Sequence, residues 1–306
     1  MRYTFVATLL ELAKKESRIM LLTGDIGFTV FEEFRKMLPN QFINVGVAEA
    51  NMIGLATGLS LSGKIPFVYS IAPFVTLRPL EQIKLDVSLH RANVKIVGSG
   101  AGLSYSNAGP THHAVEDIAL MRTMLHMTIL CPADPAEASW ATKQAVIRKG
   151  PFYLRLGKKG EPRIHTNKQT FTLGKGIVLR EGKHVAILAT GTSVIHALLA
   201  AKLLEKKNMS ATVVSMHTIK PLDVLLVKQL AKSHRYIVTV EEHFMHGGLG
   251  SAVAEVLSGE EVVTKLLRMG IPDQFITEAG SHDHHRKRLS IDAIGIAKGT
   301  QKFLYG

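Results

Sequence analysis

Residues 42–59 read FINVGVAEANMIGLATGL. A short apolar run, Phe42–Val45, leads through Gly46 into a glycine-punctuated apolar segment with one acid, Glu49, at its start. The pattern predicts a strand over Phe42–Val45 running into a helix over Ala48–Leu61. Taken alone, Glu49 is a helix N-terminal acid that complements the helix dipole. Placed at the C-terminal end of a buried strand, it also stands where open parallel sheets bind ligands.

Outward from this stretch, short apolar runs alternate with longer helical patterns. Strands are expected at Ile19–Thr23, Pro66–Tyr69, Val94–Gly98, Met127–Cys131 and Phe152–Leu156. Helices are expected at Thr4–Lys15, Thr76–His90, Ala114–Leu125 and Pro135–Arg148. Strands alternating with helices of this length predict a parallel α/β sheet. A polar stretch rich in Lys, Gly and Pro then breaks the pattern, and a second α/β series follows, from Val185–Ala189 to a last strand near 262–267 and a final helix over Ser290–Leu304. The expected organisation is two parallel-sheet α/β domains, 1–157 and 174–306, joined by a linker over 158–173.

The 306 residues, 46% hydrophobic and 20% charged, describe a globular chain able to bury a sizeable core. The single cysteine, Cys131, permits no internal disulfide and follows an apolar run, which reads as a buried thiol in a reducing cytoplasm. No signal peptide and no membrane span are expected. The net charge of +12 is scattered, with no aromatic interleaving, so no nucleic-acid partner is expected. The cluster His282-Asp283-His284-His285, followed by Arg286-Lys287-Arg288, reads as a solvated loop, and no metal ligand is assigned. Gly247-Gly248-Leu249-Gly250 lacks the spacing of a dinucleotide fingerprint and reads as a helix–strand packing element.

Seven motifs fall in order along the chain: Gly24-Asp25-Ile26-Gly27, Val45-Gly46-Val47-Ala48-Glu49, Gly109-Pro110-Thr111-His112, Pro132-Ala133-Asp134, Leu154-Arg155, Val240-Glu241-Glu242-His243 and Gly247-Gly248-Leu249-Gly250. Each is weak alone. Together they make the chain resemble the pyrimidine-binding and C-terminal domains of transketolase over essentially its whole length.

The resemblance implies thiamine diphosphate as cofactor, with Glu49 sharing a proton with its aminopyrimidine ring and Phe74 stacking on that ring. An ordinary core role for Phe74 stays open. Asp25 and Ile71 are implied as further cofactor-site residues. His112 is implied as the catalytic histidine facing substrate, with Arg155 and Thr29 near a substrate phosphate and His113 behind. Two departures stand out: Ala108 where relatives carry a substrate-reading aspartate, and Gly100 where they carry a phosphate-contacting histidine.

Gly-Asp-Gly, the family's diphosphate and cation motif, does not occur. The resemblance therefore implies the C-terminal subunit of a split, two-chain transketolase. Magnesium or calcium would be held mainly by an N-terminal partner subunit, in an α2β2 assembly in which this chain also pairs with itself. The expected activity is transfer of a two-carbon ketol unit between sugars. The alternatives are the beta subunit of a 2-oxo acid dehydrogenase, a deoxyxylulose phosphate synthase-like enzyme, or a non-catalytic partner.

Overall fold

The computed structural model describes residues 1–158, 160–165, 169–261 and 263–306. Two α/β sheets are built from twelve strands. The strands are β1 (Ile19–Thr23), β2 (Phe42–Asn44), β3 (Ile65–Ile71), β4 (Lys95–Ser99), β5 (Thr128–Leu130), β6 (Phe152–Leu156), β7 (Ile177–Arg180), β8 (Val185–Ala189), β9 (Ala211–Ser215), β10 (Thr218–Lys220), β11 (Tyr236–Phe244) and β12 (Lys265–Ile271). The first sheet has seven strands in the order β10-β5-β6-β4-β3-β1-β2, and the second has five in the order β12-β11-β8-β9-β7.

Parallel pairing dominates because helical crossovers join the strands and cover both faces. β1, β4 and β6 are buried at every position, as strands covered on both faces are, even though β4 and β6 carry Lys95 and Arg155. Two pairs are antiparallel, β10 with β5 and β7 with β9. β10 lies beyond the expected linker yet completes the first sheet, so the two units share a hydrogen-bonded edge. One apolar cluster runs through both, from Leu22, Ile96 and Cys131 to Leu188 and Val214. Part of the expected linker (159 and 166–168) and the start of the strand expected near 262–267 lie outside the described residues.

Three expectations need correction. The Phe42–Asn44 strand is the sheet's edge, only half-buried, rather than a buried central strand. The helix expected over Thr76–His90 is broken: helix Ala72–Leu77 ends before Pro79, which cannot donate a backbone hydrogen bond, and a wider-turned segment covers Ile83–Leu89. The segment expected as a solvated loop at His282–His285 is a helix, His282–Arg288, capped by the Ser281 side chain, with His285 fully buried.

The Gly248–Gly250 packing role is borne out. Leu249 and Gly250 donate their N–H groups to Glu241 at 2.7 and 2.8 Å, and a Cβ on Gly248 would lie 2.0 Å from that carboxylate. Thus the buried acid caps the helix start at close range. Among the described residues, no helix is long and apolar enough to cross a membrane.

Candidate active site

Four neighbouring strands deliver the site from their C-terminal ends, the edge where parallel sheets present ligand-binding loops. β1 leads to Gly24 and Asp25, β2 to Glu49, β3 to Ile71 and Phe74, and β4 to the loop carrying Tyr105 and His112. Asn44, at the end of β2, ties the first two loops together. Its Oδ1 accepts from the N–H groups of Asp25 (2.9 Å) and Gly46 (3.1 Å), and its Nδ2 donates to Asp25 Oδ1 (3.1 Å). Gly46 turns the chain at φ +74°, and helix Glu49–Leu61 begins three residues later.

Glu49 is only 3% exposed. Its Oε1 accepts from Ser70 Oγ at 3.1 Å, and its Oε2 accepts from Arg78 Nη1 at 2.8 Å. Gly24 leaves space beside it, since a Cβ there would stand 3.7 Å from Oε1 and 3.2 Å from the Gly46 carbonyl. The Arg78 guanidinium lies 3.9 Å over the Phe74 ring. That ring meets His112 edge-on at 5.0 Å, and Tyr105 lies 6.2 Å beyond His112. Burial, with the nearby Arg78 charge, lowers the His112 pKa, so its imidazole is neutral near pH 7 and has one donor and one acceptor. Thr111 Oγ1 contacts its Nδ1 at 2.9 Å, which leaves Nε2 for chemistry.

The structure thus brings Glu49, Phe74 and His112 together, with Ile71 half-buried at the start of the Phe74 helix. Asp25 is exposed and joins the group through Asn44. Thr29 sits on the same exposed loop, at φ +64°, and donates its N–H to Glu32. Asp25 lines a small separate hollow of about 180 Å³ with Gly27, Glu32 and Asn44.

The expectation for Arg155 is corrected. It is 2% exposed, and its guanidinium donates to Asp117 Oδ2 (2.7 Å) and to the carbonyls of Ala114 (2.7 Å) and Glu242 (3.0 Å). Tyr153 donates to the same Asp117 oxygen at 2.6 Å. A buried guanidinium engaged in this way fastens the two sheets to each other and does not face a ligand.

A cation that does border open space is Lys158, just past the end of β6. Its Nζ stands 4.3 Å over the Tyr105 ring, and it lines a cleft of about 500 Å³ with Ser106, Asn107, His282 and Arg286. Gly100 adopts φ +82°, and a Cβ there would fall 2.0 Å from Tyr105, so Tyr105 fills the space a side chain at 100 would need. Ala108 is the exposed end of a short turn, Ser106–Ala108, whose first residue is buried. A cavity of about 630 Å³ lies elsewhere: Leu267, Met269 and Phe303 line it, and none of Glu49, Phe74 and His112 does.

Residues 1–162 match the model of the transketolase pyrimidine-binding domain, and residues 174–296 match that of the transketolase C-terminal domain. The chain belongs to the transketolase family. It is built as the pyrimidine-binding and C-terminal portion of a ketol transferase that other members split between two genes. It is 40% identical, over 99% of its length and 94% of the relative's, to a 6-deoxy-6-sulfo-D-fructose transketolase subunit of Clostridium sp. (strain MSTE9). It is 38% identical, over 99% and 97% respectively, to one of the apulose-4-phosphate transketolase subunits of Phocaeicola vulgatus. A solved split-gene transketolase, described as an inactive beta4 tetramer, superposes with a TM-score of 0.88 at 36% identity, over 99% of this chain and 97% of that one.

Thiamine diphosphate is the family's cofactor, and the residues here fit one end of it. A buried carboxylate, an aromatic face and a glycine-lined gap suit an aminopyrimidine. No Gly-Asp-Gly segment is present for the diphosphate and its cation.

Proposed function

We propose that this chain is the β subunit of a cytoplasmic α2β2 transketolase that moves a two-carbon ketol unit between sugars, at least one of them anionic and modified. The single observation that carries the reading is the convergence of Glu49, Phe74 and His112 on one sheet edge. Thiamine diphosphate supplies the carbon nucleophile when bound. Glu49 holds or releases a proton at the aminopyrimidine, in a pocket that excludes water. Neutral His112 hydrogen-bonds the donor's oxygen and moves its proton. The N-terminal partner holds the diphosphate and its magnesium or calcium.

The relatives' names concern sugars bearing a sulfo or a phosphate group. Lys158, in the cleft beyond Tyr105, is the cation suited to such a group. Ala108 and Gly100 leave out two polar groups with which relatives read ordinary sugar phosphates, which favours a modified donor.

Calorimetry tests the subunit reading. The isolated chain with magnesium should take up no thiamine diphosphate, and binding should appear when the Gly-Asp-Gly partner is added. Tight, magnesium-dependent binding by the isolated chain would overturn it.

A further inference from the structure

Outside the cofactor site, three donor groups converge on helix His282–Arg288 and the turn before it. One ligand atom each from Glu278, His284 and His285 lies within 4.8 Å of the other two. We propose that these residues form a binding site for a divalent cation of the zinc type, which fastens the second domain to the loop carrying His112.

His285 is 0% exposed, and among the described residues neither of its ring nitrogens has a hydrogen-bond partner. Buried polar groups are nearly always satisfied, and leaving both ends of an imidazole unpaired is costly. A cation satisfies one of them. His284 Nε2 already contacts Glu278 Oε1 directly, and a cation bound to that pair takes the place of the proton between them. Gly280 fixes both rings: a Cβ there would lie 2.6 Å from the His284 ring and 3.1 Å from the His285 ring, so the backbone passes directly beneath them.

The surroundings resemble the outer shell of a metal site. Arg288 Nε holds the far carboxylate oxygen of Glu278 at 3.0 Å and leaves the near one for the ion, an orienting role typical of residues behind metal ligands. The other guanidinium on the helix, Arg286, is balanced by buried Glu242 at 2.5 Å and by Asp283 at 3.4 Å. Two nitrogens and one carboxylate oxygen suit a borderline cation such as zinc better than magnesium or calcium, and water completes the coordination. His284 is exposed and Glu278 is partly exposed, so solvent reaches the site.

The placement links this site to the chemistry. The His285 ring lies 6.1 Å from that of buried His113, whose Nε2 is also unpartnered, and His113 follows His112. An ion holding His285 in place therefore steadies the floor of the Gly109–His113 loop.

The test uses the full chain, stripped with a chelator and titrated with zinc chloride by calorimetry, and with cobalt chloride by visible absorption. The expected result is one zinc ion per chain, a tetrahedral cobalt spectrum and a raised Tm in zinc. Exposed His284→Ala and Glu278→Gln should each fold normally and bind zinc about tenfold more weakly, or worse. Failure of the wild type to take up zinc overturns the proposal. So does equal binding by wild type and both variants, since the zinc would then sit on other histidines.

Discussion

Arg78 Nη1 is hydrogen-bonded to Glu49 Oε2 at 2.8 Å while the same guanidinium lies 3.9 Å over Phe74. One side chain therefore covers both groups assigned to the aminopyrimidine. Glu49 is buried and Arg78 is 45% exposed, so the arginine is the member of the pair free to swing away. A bound aminopyrimidine would place a ring nitrogen where the guanidinium now pairs with the carboxylate.

Glu49→Gln is nearly isosteric but cannot share a proton. In the assembled enzyme it should reduce turnover by ~10²–10⁴-fold, the usual range for a lost acid–base group. Gel filtration should show unchanged assembly. Near-native turnover would reduce Glu49 to a helix-start acid.

Arg78→Ala removes the competitor. A half-exposed ion pair and a cation–π contact are each worth up to about 1 kcal/mol. The half-saturating concentration of thiamine diphosphate should therefore fall about threefold to tenfold. If it rises instead, Arg78 orients the bound cofactor and does not compete with it.

Glu242 gives the fold a defined acid limit. Burial alone would raise its pKa, but the charges of His282 and Arg286, with the Leu103 N–H, hold it well below the ordinary glutamate value. A carboxylate with a depressed folded-state pKa contributes stability above its unfolded pKa of about 4, and that contribution is lost as pH falls further. Glu242→Gln should cost about 3 kcal/mol at pH 7, the usual scale for breaking a buried pair. The gap between wild type and variant should narrow below about pH 4, as followed by urea unfolding across pH. A constant gap down to about pH 2 would show that the ion pair contributes nothing.

What the sequence made legible, and what it hid, follows from how local each signal is. Glu49 was readable because a strand, a glycine turn and a helix start are adjacent in the chain. Phe74 and His112 were readable through short motifs on the loops of neighbouring strands. Arg155 misled because, within the fully buried β6, no local pattern distinguishes a guanidinium that braces two sheets from one that faces a ligand. The cation bordering the cleft comes three residues later, beyond the strand's end, and only its stack on Tyr105 identifies it. Strand β10 and helix His282–Arg288 depend on partners far away in sequence, β5 and Glu242. A polar run such as His282–Arg288 reads as solvated until the buried acid that neutralises it is located.

Ala108 bears on which sugar the enzyme accepts. It is the exposed end of the Ser106–Ala108 turn, four residues before His112, and carries a methyl where the family resemblance implies a carboxylate. Without that acceptor, the site should tolerate a donor that lacks or inverts the corresponding hydroxyl. A site built to bond a hydroxyl discriminates strongly, because the analogue leaves a buried group unpaired. Ala108→Asp should therefore shift preference toward ordinary ketose phosphates, by about tenfold or more in the ratio of kcat/KM values. Because Ala108 is exposed, the new carboxylate meets little steric resistance, and stability should change by less than about 0.5 kcal/mol. The measurement is kcat/KM for xylulose 5-phosphate and for an altered donor, in wild type and variant. Arg155 is engaged by Asp117, and Lys158 is the residue proposed to hold the donor's anion. Lys158→Ala should then weaken both donors alike through KM. A wild type that already strongly prefers xylulose 5-phosphate, with a ratio Ala108→Asp leaves unchanged, would show that the turn does not read the sugar.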